Sequence, residues 1–148
     1  MQTQDLTADQ ARDLRALAGM IIPASAVYDV PGADDETIFS DILRNLERDR
    51  DDIRRALSHL AAIAGCAFAD LEAEQRADVA KAFREVGGAP LAALVRVVLL
   101  CYYRDDRVMR SLGQEVRPPF PKGHVVEQGD WSLLDPVRAR KPMYRTVE

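Results

Sequence analysis

Proline divides this chain in two. Of its eight prolines, five (Pro118, Pro119, Pro121, Pro136 and Pro142) lie beyond residue 113. Proline fixes φ and removes a backbone donor, so no regular helix runs through such a segment. Residues 114–148 are therefore expected to be largely extended or polyproline-like. Residues 1–113 instead carry successive apolar stripes at helical spacing, punctuated by Gly and Pro. The expected architecture is all-α: a compact bundle of about five helices over residues 1–113, followed by a long, extended, Pro-rich C-terminal arm over 114–148.

The helices announce themselves by caps and stops. Thr7 with Gln10 three residues on forms a capping box, and Ala11, Leu14, Leu17, Ala18, Ile21 and Ile22 follow until Pro23 ends the run. Residues 23–33 hold Pro31-Gly32 without periodicity and read as a loop, after which Asp34 or Asp35 caps a helix with Ile38, Phe39, Ile42, Leu43 and Leu46 on one stripe. A third helix carries Ile53, Ala56, Leu57, Leu60, Ile63 and Ala64 and ends at Gly65. After a connector at residues 68–71, a fourth spans 72–86 with Ala73, Ala77, Ala80, Phe83 and Val86 inward, closed by Gly87-Gly88, and Pro90 suits the first turn of the next helix. The fifth, 91–103, is apolar almost all round, the pattern of a helix buried by its neighbours at the centre of a bundle. A short piece, 106–112, stops at Gly113.

Chemistry-bearing residues are few. Arg96, alone in the apolar fifth helix, is expected to be buried and paired, with a carboxylate of the body or with one on a partner. His59 falls off its helix stripe and should be exposed, while the run from Arg48 to Asp52 reads as a solvated, self-paired face. The acid pairs Asp34-Asp35 and Asp105-Asp106 sit where helices begin and act as caps. Cys66 and Cys101 match no zinc, haem or redox spacing, and both are expected as reduced, buried thiols. The sequence contains no GxGxxG or Walker loop, no CxxCH, no HExxH and no GxSxG elbow. No catalytic residue, metal site or cofactor-binding site is therefore assigned to this chain.

Charge and hydropathy exclude further classes. A net charge of -4 lacks the basic footprint that phosphate neutralisation needs, so nucleic acid is not an expected partner. The longest apolar stretch, 91–103, is broken by Arg96 and falls short of the ~20 residues of a membrane span. The polar opening MQTQDLTADQARDL has neither the basic nor the apolar region of a signal peptide, and a cytoplasmic location is expected.

The arm is more than a linker. Val116, Phe120, Val125, Val126, Trp131, Leu133, Leu134, Val137, Met143, Tyr144 and Val147 stud it, including the only Trp. With one apolar anchor per roughly three residues, burial returns about 1.5–3 kcal/mol per anchor against about 1–2 kcal/mol of backbone entropy per ordered residue. Contact with its own small body does not order such an arm; it stays mobile, or a partner surface with pockets orders it. Arg138, Arg140, Lys141 and Arg145 make its end basic, which suits an acidic groove. His124, in PKGHVV, is either a bystander or the one titratable group the arm delivers to a partner's cleft.

Taken in order, LTADQARDLRALAGMIIPAS, VPGADDETIFSDIL, FADLEAEQRADVAKAF, and YYRDDRVMRSLG running into RPPFPKG resemble the gluconate 2-dehydrogenase subunit 3 family, the small gamma subunits of flavin-dependent dehydrogenases. The resemblance covers residues 6–123 and extends to LLDPVRARKPMYR. It implies a non-catalytic subunit that binds a large glucose-methanol-choline type oxidoreductase. That large chain would carry FAD and the catalytic His, and the small one would assist its folding, flavin loading or stability. Sugars, glycosides and related alcohols are the substrates the family suggests, with a possible separate electron acceptor. Members often begin with a twin-arginine export signal, which this sequence lacks, in keeping with a cytoplasmic complex.

The residues expected to meet the partner are Tyr102, Tyr103 and Arg104 from the YYRD segment, together with Pro118, Pro119, Phe120, Pro121, His124, Trp131, Leu134, Arg138, Arg140, Tyr144 and Arg145 from the arm. Two other readings stay open: a free-standing helical interaction or regulatory module, and an enzyme in its own right, which needs a pocket of perturbed titratable groups.

Overall fold

A computed structural model describes residues 6–118, 120, 122, 123, 125 and 127–141. The described chain is all-α: α1 (Ala8–Ile21), α2 (Glu36–Arg44), α3 (Arg50–Ala64), α4 (Ala73–Val86), α5 (Gly88–Tyr103), α6 (Asp106–Ser111) and α7 (Asp135–Arg138). Among the described residues the only β pairing is an isolated bridge between Ser25 and Val30. The chain divides into two compact units, Met1–Val116 and Arg117–Glu148.

In the first unit, local chemistry sets the helix ends. Thr7 Oγ1 accepts from the Gln10 N–H and Gln10 Oε1 accepts from the Thr7 N–H, both at 3.1 Å, so two orphan donors of α1 are satisfied reciprocally. Asp35 accepts from the Thr37 and Ile38 N–H groups and starts α2, and Asp105 accepts from the Arg107 N–H and starts α6. Gly65, at φ 72°, closes α3 in the left-handed conformation that a Cβ disfavours.

The core gathers around α3, which packs most extensively on α5 and then on α4, while α2 packs on α5. Ile53, Ala56, Leu57 and Leu60 of α3 meet one cluster with Leu94, Val98 and Cys101 of α5, Ile38 and Ile42 of α2, and Leu14, Leu17 and Ala18 of α1. Phe68, in a single 3-10 turn at Phe68–Asp70, is fully buried, so the connector plugs the core rather than merely crossing it. Asp13 holds that turn in place: buried at 4% exposure, it accepts from the Ala69 N–H at 2.9 Å.

Four expectations are corrected. First, α5 is not buried all round; one face meets α3 and the other lies open. Second, α4 buries only Phe83, whereas Ala73, Ala77 and Val86 are exposed. Alanines offer too little area to hold a helix down, and α4 turns into α5 through 119° at Gly87. Third, Cys66 is exposed, because it follows Gly65 and so lies past the end of the α3 stripe; Cys101 is buried as expected. Fourth, Arg96 is half-exposed rather than buried, and its partner is internal: Nη2 lies 2.6 Å from Asp49 Oδ1.

The second unit is not wholly extended. Asp130 accepts from the Ser132 N–H and caps a 3-10 turn, Trp131–Leu134, that leads into α7. Pro136 sits in the first turn of α7, where its missing N–H forfeits no intrahelical bond.

Candidate partner interface

The open face of α5 is an exposed apolar surface of the helical unit. Ala92, Val95, Leu99 and Tyr103 recur at three- and four-residue spacing along it, with Leu100 beside them. Leu99, Leu100 and Tyr103 are 36%, 59% and 53% exposed, so three large apolar side chains of one helix lie open to solvent together. With Arg96 and Arg104 they line a shallow depression of about 720 Å³. Through Val95 this face continues into a second groove of about 570 Å³, where Leu17, Met20 and Ile21 of α1 face Phe83, Lys81 and Arg84 of α4.

An ion-pair clasp fixes the C-terminal end of α5. Arg104 Nη2 reaches Asp41 Oδ2 of α2 at 2.6 Å. Three residues on, in α6, Arg107 Nη2 binds Asp35 Oδ1 at 2.7 Å and Asp105 Oδ2 at 3.0 Å, so one guanidinium ties the caps of α2 and α6 together. The hydrogen bond from Arg104 holds the Asp41 carboxyl below its ordinary range, and the one from Arg107 does the same for Asp35 and Asp105. Burial, with Asp41 nearby, pushes the Cys101 thiol up to about 11, which leaves it protonated and a poor nucleophile.

Tyr102 and Tyr103 have opposite roles despite their adjacency. Tyr102 is buried and its hydroxyl donates to the Pro31 carbonyl at 3.2 Å, so it pins the loop between α1 and α2 and is not on the surface. Burial raises its pKa. Tyr103 projects outward, its ring propped edge-on against that of Tyr102 at 5.3 Å between centroids. The pinned loop brings the IIP and PGA motifs together, since the Ala33 N–H donates to the Ile22 carbonyl at 2.9 Å. Gly32 is needed there because a Cβ would come within 3.0 Å of the Ala24 nitrogen. Asp29 takes a positive φ of 50°, and the tip presents Val27 and Tyr28 to solvent.

Within the second unit the described anchors are all exposed: Phe120 at 84%, Trp131 at 62%, and likewise Leu133, Leu134 and Val137. Pro118 is exposed too. Arg138 pairs with Asp135 at 3.4 Å, while Arg140 and Lys141 have no ion-pair partner among the described residues. Pro119, Pro121, His124, Val126, Met143, Tyr144, Arg145 and Val147 lie outside the described residues.

Of the expected partner residues in the helical unit, Tyr103 and Arg104 thus lie on one surface and Tyr102 does not. Leu99, Leu100, Val27 and Tyr28 belong with the exposed apolar set and were not singled out by sequence. For the leucines the signal was the excess apolar residues of α5, more than one buried face uses. Among the described residues no three His, Cys, Asp or Glu side chains gather as a metal site, and no single helix is long and apolar enough to cross a membrane. Comparison with protein-family models, with curated proteins and with solved structures yields no significant match.

Proposed function

We propose that this protein is a non-catalytic small subunit that binds and stabilises a large FAD-dependent oxidoreductase of the glucose-methanol-choline type, acting on a sugar, alcohol or glycoside and assisting the large chain's folding or flavin loading. The carrying observation is exposed apolar surface in both units: the open face of α5 in one, and Phe120, Trp131 and Leu133 in the other. Large exposed apolar side chains cost solubility and are characteristic of surfaces that a second chain covers. The motif order from LTADQARDL to RPPFPKG supports the identity of that chain.

In this reading FAD belongs to the large subunit. The arm acts as a clamp, with Phe120, Trp131, Leu134 and Tyr144 filling pockets and Arg138, Arg140 and Arg145 meeting carboxylates. The complex is cytoplasmic.

The test is a pull-down of the tagged full chain from its own cells, with the eluate read for flavin absorbance and subunit mass. A yellow heteromeric complex supports the subunit role. A colourless monomer overturns it and favours a free-standing helical module, a reading to which the continuous core of the first unit lends weight. Deleting residues 114–148 should weaken the complex far more than it destabilises the helical unit. Undiminished binding by the truncated chain would remove the clamp.

A further inference from the structure

We infer that the open face of α5, extended through Val95 into the α1/α4 groove, is a docking site for an amphipathic helix of another chain whose apolar stripe is flanked by carboxylates. The site is a property of the helical unit alone and does not depend on the partner carrying flavin.

Shape and length come first. From Ala92 to Tyr103 the stripe runs twelve residues, eleven steps of 1.5 Å or about 16 Å, the length of three helical turns. Its three- and four-residue spacing makes a ridge that a second helix accommodates with its own ridges and grooves. Residue size rises along it, from Ala92 and Val95 to Leu99, Leu100 and Tyr103. Tyr103, held edge-on by the buried Tyr102, is a pre-oriented aromatic anchor of the kind that dominates interface energetics.

Charge then selects the occupant. Arg96 and Arg104 stand on the α5 depression, and Lys81 and Arg84 line the adjoining groove. Arg96 and Arg104 are committed to Asp49 and Asp41, but Lys81 and Arg84 have no ion-pair partner among the described residues. The two grooves contain no Asp or Glu lining side chain, and with Arg96 and Arg104 already paired the uncompensated charge beside the apolar floor is that of Lys81 and Arg84. Carboxylates flanking the partner's stripe complement that rim, and lysines would repel it. The same rim disfavours a second copy of this chain. A second copy brings the same Lys81 and Arg84 and no Asp or Glu lining its own face, so it offers that rim no carboxylate.

The probes are two synthetic helical peptides of about 14 residues with the same leucine stripe, one flanked by Glu and the other by Lys, titrated against the full chain by fluorescence anisotropy. The Glu-flanked peptide should bind on the order of tenfold more tightly. Leu100→Asp should abolish its binding, with Leu100→Ala, a milder change at the same exposed position, lowering affinity in the same direction and far-UV circular dichroism confirming the fold. Lys81→Glu with Arg84→Glu should invert the preference. Equal affinity for the two peptides, or none for either, overturns the proposal. Sedimentation of the full chain as a dimer that Leu100→Asp dissociates also overturns it, in favour of a second copy. A colourless pull-down eluate bears on the flavoenzyme reading and leaves this result intact.

Discussion

Along α5, Leu94, Val98 and Cys101 are sealed in the core, while Leu99 and Leu100, next to them in sequence and largely alike in chemistry, face water. The inner set gains burial on folding of the chain itself. The outer set stays in water, so the same side-chain chemistry adds to stability on one face and on the other leaves apolar surface open for a second chain to cover.

Thiol reactivity should separate the inner face from the rest of the surface most sharply. In the native protein an aromatic disulfide reagent should titrate Cys66 promptly and Cys101 only on unfolding, since Cys101 is buried and its pKa is raised. Two fast thiols in the native state would mean that the inner face opens freely.

Leu94→Ala should cost about 2–5 kcal/mol, read from urea unfolding, because a fully buried leucine leaves a cavity. Arg107→Ala should cost less, about 1–2 kcal/mol near neutral pH, because the guanidinium is partly exposed and its pairs are screened. Its pH dependence has a definite sign. Asp35 and Asp105 lie below their ordinary value of 3.8 when folded, so the stabilisation is complete above that value and lost as pH falls through the folded values. The stability gap between wild type and Arg107→Ala should therefore close in acid, and a gap that persists unchanged at low pH would assign Arg107 a packing role instead.

Thr7→Ala should cost about 1 kcal/mol through the lost cap of α1. Smallest of all, Leu100→Ala on the outer face should shift stability by no more than about 0.5 kcal/mol while weakening peptide binding. A destabilisation comparable to that of Leu94→Ala would show that the outer face is covered within the chain itself and erase the contrast.

Much of the fold was legible because its determinants are local. Thr7 with Gln10, Asp35, Asp105 and Gly65 act on backbone groups within a few residues, and each sits at the helix end its sequence context predicts. Pro136 shows the boundary of that legibility. It opens a short helix rather than continuing an extended arm, because its position within a turn matters more than the proline count around it. Of the expected partner residues of the YYRD segment, Tyr103 and Arg104 are exposed, whereas Tyr102, one residue earlier, proved to be a core residue anchored on Pro31, 71 positions away.

The sequence by itself determined that the first 113 residues are helical, where most helices start and stop, and that α5 is apolar almost all round. Caps, stops and hydrophobic periodicity are properties of neighbouring residues. Only the tertiary structure decided which half of α5 is covered, that Phe68 and Asp13 close a connector into the core, that Cys66 is outside it, and that Arg96 answers to Asp49. Each depends on a contact between segments far apart in the chain, and hydropathy along one helix has no information about what packs against it.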